Sequence, residues 1–448
     1  MKRIMNKTII RNARVINEGE IYQADIELDG QFISRIERNG IASGQGREID
    51  AEGHFLMPGV IDDQVHFREP GLTHKAEIYT ESRAALAGGV TSYMEMPNVV
   101  PKTTTIERLE EKMGIGAARS AVNYSFFMGT TNDNLEELKK VNPKNTCGVK
   151  IFMGSSTGDM LVDDEKVLDK IFAEIPILIA THCENENRVK ERMAAWIARY
   201  GEDIPAAEHA IIRDEEACWL SSSFARDLAM KHNTRLHILH ITTEEELALF
   251  RNDIPLAQKR ITSEVCVHHL HFTADDYASL GNFIKCNPAI KASRHREALW
   301  QALLDDRLDI IATDHAPHTL QEKQMPYTQS PSGLPLVQHS LQLMLNYASQ
   351  GRIAYEKVID KMCHKPAVCF QIDRRGYIRE GYFADLVLVK PNSQYVVGND
   401  NLLYKCGWSP LSGMVFNHTI NKVWVNGTLG WDGGLTENYD PMRLAFNR

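Results

Sequence analysis

Residues 1 to about 57 alternate apolar and polar positions in three short stretches, TIIRNARVIN, YQADIELDG and QFISRIERNG, punctuated by glycine and asparagine. A period of two gives a strand one apolar face, and no helix-length pattern interrupts it, so this part reads as a small β unit. From 58 to about 365 the pattern changes. Short apolar runs at 60–66, 91–96, 122–128, 149–153, 177–182, 236–241, 261–267 and 310–314 alternate with stretches of helical period such as 76–87, 106–118, 164–173, 208–232 and 244–250. Eight strands alternating with helices predict a parallel sheet closed into a (β/α)8 barrel. An open doubly wound sheet shares that alternation, but no GxGxxG follows the first strand. Beyond 366 the β texture returns in FADLVLVKP and NKVWVNGTLGW, with Asn426-Gly427 as a hairpin signal. The expected fold is α/β: a barrel over 58–365, with residues 1–57 and 366–448 completing one small β domain together.

Reactive side chains of such a barrel stand at the C-terminal ends of its strands. The stretch 57–71, MPGVIDDQVHFREPG, leads into the first of them. Side chains two apart share a strand face, so Gln64, His66 and, if the extended backbone continues, Arg68 point the same way. An amide, an imidazole and a guanidinium make a poor core but can hold a metal beside an anion. The later strand ends add Asn98, Lys150, His182, His240, Glu264 and Asp314. Imidazoles with carboxylates suit zinc, with a position left open for water. Lys150, in CGVKIFMG, points inward with Phe152 while Val149 and Ile151 take the outer face. A desolvated amine tends to lose its proton, so Lys150 is either bridged to Asp314 or free to react as a neutral amine. His237, three residues before His240, faces the other side of its strand, and His268, His269 and His271 read as structural. Asp314 opens TDHAPH, where a carboxylate can touch a metal and also accept a proton, and His318 can reach the same mouth from the following loop.

A formal charge of −9 with no basic cluster argues against a nucleic-acid surface. No run approaches the roughly 18 apolar residues of a membrane span, which argues against a membrane role. The basic N-terminus lacks the apolar core of a signal peptide, which points to the cytoplasm. Eight cysteines without a CxxC pair then read as reduced, mostly buried thiols. The segment 154–164, GSSTGDMLVDD, is expected to act as a lid that orders when substrate binds.

Taken together, FREPG at 67–71, MPN at 96–98, VKIF at 149–152, THCE at 181–184, HILH at 237–240, SEVCVHH at 263–269, NPAI at 287–290 and TDHAPH at 313–318 resemble the dihydroorotases of the amidohydrolase superfamily. The resemblance covers nearly the whole chain and implies a metal-dependent barrel with a composite β domain. It also implies reversible ring closure of carbamoyl aspartate to dihydroorotate. By resemblance, His66 and Asp314 bind a first zinc, and Asp314 shuttles the proton. His182 and His240 bind a second zinc, and a carboxylated Lys150 bridges the two. Arg68, Asn98 and His318 grip the substrate carboxylate, Asn287 lines the ring, and Glu264 matches a ligand for an additional zinc in some relatives. There is one departure: Gln64 stands where the family pattern has histidine. One zinc is therefore expected to be tight and the other partly filled. Two other readings remain, a hydrolase of hydantoin-type or dihydropyrimidine rings and a non-catalytic structural partner. Arg68 and Asn98 argue against the first, since a neutral ring does not need them; Gln64 favours the second. The expected partner is a small anionic substrate, and a homodimer is one expected assembly.

Overall fold

The computed structural model describes residues 7–43, 46–154 and 160–448. The alternation near the N-terminus becomes five strands: β1 (Lys7–Asn17), β2 (Glu20–Asp29), β3 (Phe32–Glu37), β4 (Arg47–Asp50) and β5 (Phe55–Pro58). β1, β2 and β3 pair antiparallel in sequence, while β4 and β5 lie parallel to β1. Their apolar faces meet in a core of Ile10, Val15, Ile26, Leu28, Ile33 and Leu56.

The barrel follows. Its strands are β6 (Val60–Val65), β7 (Val90–Glu95), β8 (Asn123–Phe126), β9 (Met128–Gly129), β10 (Val149–Phe152), β11 (Ile179–His182), β12 (Leu236–Ile238), β13 (Ile261–Cys266) and β14 (Ile310–Ala312). β6, β7 and β8 pair in parallel, as do β9 through β14, and the chain passes from β8 to β9 across Phe127 alone. The remaining seam joins the first strand to the last. Val65 bridges to His315, the His66 amide donates to the His315 carbonyl at 2.7 Å, and Thr313 Oγ1 donates to Asp62 Oδ2 at 2.6 Å. Helices such as Glu165–Glu174 cover the barrel with one apolar stripe, here Leu168, Ile171 and Phe172. Burying each such side chain contributes about 1.5–3 kcal/mol.

At the C-terminal end β15 (Leu386–Val396), β16 (Val415–Val425) and β17 (Thr428–Asp432) form an antiparallel run. β15 also pairs antiparallel with β5, so both chain ends build one sheet, as expected. Asn426 and Gly427 turn the last hairpin at φ 50° and 76°. A Cβ on Gly427 would sit 2.0 Å from the Gly30 carbonyl oxygen, so that position excludes any other residue.

Several elements differ from the pattern-based expectation. The helix expected over 208–232 is broken into Ala206–Glu208, His209–Ile212 and Glu215–His232. Asp214 caps the last of these by accepting from the Ala217 amide at 3.1 Å and also takes the Arg188 guanidinium. The stretch 244–250 is a single 3-10 turn, Glu245–Leu249. The helix Glu186–Tyr200, absent from the expected set, buries Val189 and, in part, Met193, Trp196 and Tyr200, one stripe at helical spacing. The strands expected at 236–241 and 310–314 stop at Ile238 and Ala312, because His240 and Asp314 adopt left-handed backbone at φ 38° and 46°. Of the proposed lid, residues 155–159 lie outside the described residues. All eight cysteines are free, and seven are buried. No helix among the described residues is long and apolar enough to cross a membrane.

Candidate active site

At the C-terminal mouth of the barrel, Gln64, His66, Arg68, Asn98, Lys150, His182, His240, Asn287 and Asp314 line one cleft. Of the residues singled out by sequence, Glu264 and His318 do not line it. Glu264 lies inside the barrel beneath the cleft, and His318 stands behind Arg68.

Two pairs of donors face each other across the floor. In the first, Asn98 Oδ1 accepts from His66 Nδ1 at 2.8 Å, which fixes the ring proton there and leaves a lone pair on Nε2. That lone pair faces Asp314 Oδ1 at 3.2 Å. Burial pushes the His66 imidazole below its ordinary value, so the contact sets a neutral nitrogen against a carboxylate and calls for a cation between them. In the second pair, Glu184 Oε2 accepts from His182 Nε2 at 2.9 Å, turning the Nδ1 lone pair toward His240 Nε2, 2.9 Å away. Burial alone would raise the Glu184 carboxyl, but the Arg213 guanidinium and His182 together hold it well below the usual carboxylate range. His240 Nδ1 is buried without a hydrogen bond. Two imidazole nitrogens converging on one point fit a metal ion, with Glu184 orienting one of them.

Lys150 is 1% exposed and stands over the Phe152 ring at 4.7 Å. Burial lowers its amine to about 7. Its bridge to Asp314, one of the two alternatives read from sequence, does not form: Asp314 Oδ1 faces His66 and accepts from Gln64 Nε2, the latter at 3.1 Å. Gln64 thus turns a donor toward the first pair where a ligand was expected, while its Oε1 accepts from Cys266 Sγ at 3.7 Å. Its amide as oriented presents no ligand to a metal in the cleft.

Arg68 reaches the cleft by a different route from the one expected. β6 ends at Val65, and Arg68 takes left-handed backbone at φ 69°, so a turn rather than strand alternation aims it. Its Nε donates to the Pro317 carbonyl at 3.1 Å, and no carboxylate among the described residues pairs with it. Lys75 donates to His318 Nδ1 at 3.0 Å, so the His318 proton resides on Nε2 and goes to the Ser332 carbonyl, also at 3.0 Å. Arg68 Nη2, 3.0 Å from that same Nε2, therefore faces another donor. Burial, Arg68, Lys75 and Lys323 keep His318 neutral. The wall is electropositive and short of an acceptor. Asn287 Oδ1, buried and unpartnered at the cleft, offers an acceptor for an N–H.

Beneath the floor, His237 lies between Asp63 and Glu264 at 3.3 and 3.2 Å. Glu264 Oε1 also accepts from the His240 amide at 3.2 Å, so it steadies the left-handed turn that carries His240. Glu184 and Asp63 carried no role in the sequence reading, although each lies within three residues of a histidine in the cleft.

The amidohydrolase family model matches residues 55–430. Among curated relatives, a dihydroorotase of Halobacterium salinarum is 34% identical over 96% of this chain and 98% of its own length. One of Methanosarcina acetivorans is 32% identical over 96% and 94%. Among solved structures, an L-hydantoinase (dihydropyrimidinase) from Arthrobacter aurescens superposes with a TM-score of 0.91 at 25% identity over 97% of this chain and 98% of its own. A dihydropyrimidinase from Brevibacillus agri gives 0.89 at 22% identity, covering 99% and 100%.

Proposed function

The chain belongs to the amidohydrolase family, and from that premise we propose that it is a dihydroorotase, interconverting dihydroorotate and carbamoyl aspartate. The observation that carries this reading over other cyclic amides is Arg68, a guanidinium 6% exposed that faces the cleft with no carboxylate partner among the described residues. A buried cation is stabilised by an anion, and its planar fork matches a carboxylate. A hydantoin or dihydropyrimidine ring brings none.

His182 and His240, with Lys150 as a carbamate, would hold one zinc, and His66 and Asp314 would contribute to a second, weaker position. A metal held there supplies Lewis acidity, acidifying water and polarising a carbonyl. Lys150, lowered to about 7 by burial, is available near neutrality as the neutral amine that dissolved carbon dioxide would carboxylate, with one proton released to solvent. Arg68 and the free amide nitrogen of Asn98 hold the substrate carboxylate at one end of the cleft. Asn287 Oδ1 meets a ring N–H at its side. Asp314 directs Oδ1 toward His66 and accepts there from Gln64, leaving Oδ2 to take a proton from the attacking water. It returns that proton to the ring nitrogen as the carbon–nitrogen bond breaks.

Steady-state hydrolysis of dihydroorotate, dihydrouracil and hydantoin, with metal content measured on the same sample, tests this. Turnover confined to dihydroorotate is the expected result. Comparable turnover of the neutral rings overturns the substrate assignment, and no turnover of any ring in metal-replete protein supports the non-catalytic alternative that Gln64 favours.

A further inference from the structure

Behind Gln64, on the side away from the cleft, Cys266 ends β13 and the short helix Val267–His271 follows with His268 and His269. The thiol and one nitrogen from each ring lie within 4.8 Å of one another, and all three residues are buried. Three ligands at 2.0–2.3 Å from one zinc stand about 3.3–3.8 Å apart, so small side-chain rotations would close the set.

The cluster is short of hydrogen bonds. Both nitrogens of His268 and Nδ1 of His269 are buried without a partner. The Thr313 backbone and Asp314 lie beside the His268 ring. His269 uses Nε2 on the Pro288 carbonyl at 3.1 Å, which places its proton there and leaves the Nδ1 lone pair free. The two rings pack at 4.1 Å between centroids. The carboxyl groups of Glu264, Asp314, Asp62 and Asp63 all lie near Cys266, where each ionised one opposes a bare thiolate and favours a dication. A thiol with two neutral imidazoles is a soft donor set of the kind zinc takes.

We propose that Cys266, His268 and His269 form a buried zinc-type metal site of three protein ligands, behind Gln64 and distinct from the metal positions of the cleft. Binding displaces the Cys266 thiol proton to solvent and leaves one thiolate, two imidazoles and a fourth place beside Gln64 Oε1, 3.7 Å from the sulfur. An ion there would hold Gln64 in its present orientation, with its amide donor on Asp314. The site does not depend on which ring the enzyme opens.

Cobalt(II) reports it without reference to activity, because the cleft offers no thiol. Metal-free full-length protein titrated with cobalt should develop the near-ultraviolet thiolate-to-cobalt charge-transfer band, saturating at one ion per chain. Cys266→Ser should abolish the band and lower zinc content by one per chain. Cys183→Ser and Cys286→Ser should keep it, although Cys183 follows His182 and Cys286 lies 3.9 Å from His269 Nε2. Zinc X-ray absorption of the unmutated protein should show a sulfur shell at about 2.3 Å, which decides the matter even if Cys266→Ser fails to fold. A cobalt spectrum without the charge-transfer band, a zinc spectrum without sulfur, or loss of the band in Cys183→Ser or Cys286→Ser instead overturns the site.

Discussion

Arg68→Ala is the perturbation that separates a carboxylate-bearing ring from a neutral one. The guanidinium uses Nε on Pro317 and presents its two terminal nitrogens to the cleft and to His318, whose own proton is already committed to Ser332. A substrate carboxylate would accept two charge-assisted hydrogen bonds, each worth about 1.5–3 kcal/mol. The variant should therefore lose roughly 3–6 kcal/mol of transition-state stabilisation, which is about 150- to 25,000-fold in kcat/KM for dihydroorotate. Stability should hardly change. Burial lowers the arginine to about 10, a sign that the charge is uncomfortable where it stands. Alanine also carries the same Cβ strain at φ 69°, so the backbone cost cancels. The assay is kcat/KM for dihydroorotate and for dihydrouracil in both proteins, with Tm measured alongside. A loss of equal size on both substrates, or a large fall in Tm, would show that Arg68 shapes the fold or the metal centre and does not read the carboxylate.

Gln64→His adds an imidazole beside His66 where the amide now donates to Asp314, so metal content after identical dialysis should rise by about one ion per chain; an unchanged content refutes the handicap assigned to Gln64. Lys150→Ala should lose activity and cleft-bound metal, with partial rescue of both by acetate or propionate; undiminished metal content excludes a ligand derived from Lys150. Burial raises the Asp62 carboxyl to about 7, so the folded protein keeps a proton that the unfolded chain loses near pH 4, and stability falls as pH rises between about 4 and 7. Asp62→Asn should make that fall shallower, and an unchanged slope of Tm against pH counts against it.

Periodicity made the fold legible because period two and period 3.6 each follow directly from backbone geometry. The same rule found His66 on the cleft face beside Gln64, and it turned Lys150 inward because Val149 and Ile151 belong to the outer core. It could not find the turns. Arg68, His240 and Asp314 reach the cleft on left-handed backbone just past their strands, and no hydrophobic pattern encodes φ. Arg68 was given the right face for the wrong reason. Glu264, counted among the strand ends, is two residues inside β13 and directed at His237. Asn98 presents its oxygen to His66 and Glu184 holds His182; both are contacts between distant segments, which spacing along a chain does not display.

Those three left-handed residues explain why the barrel interior beneath the cleft is so polar. Each costs on the order of 1–3 kcal/mol and persists only where its surroundings leave no other conformation. The restraints can be traced. Thr313, bonded to Asp62, anchors the residue before Asp314, and Glu264 holds the His240 amide while His237 ties Glu264 to Asp63. The Pro317 carbonyl holds Arg68. Apolar side chains at 62, 63, 237 and 264 would pack a barrel core at less desolvation cost, but they could not grip the backbone groups that relaxation would move. The buried carboxylates are thus better understood as restraints on the cleft than as members of it. The cleft's convergence of imidazole, carboxylate and guanidinium rests on hydrogen bonds one layer deeper, between residues that touch no substrate.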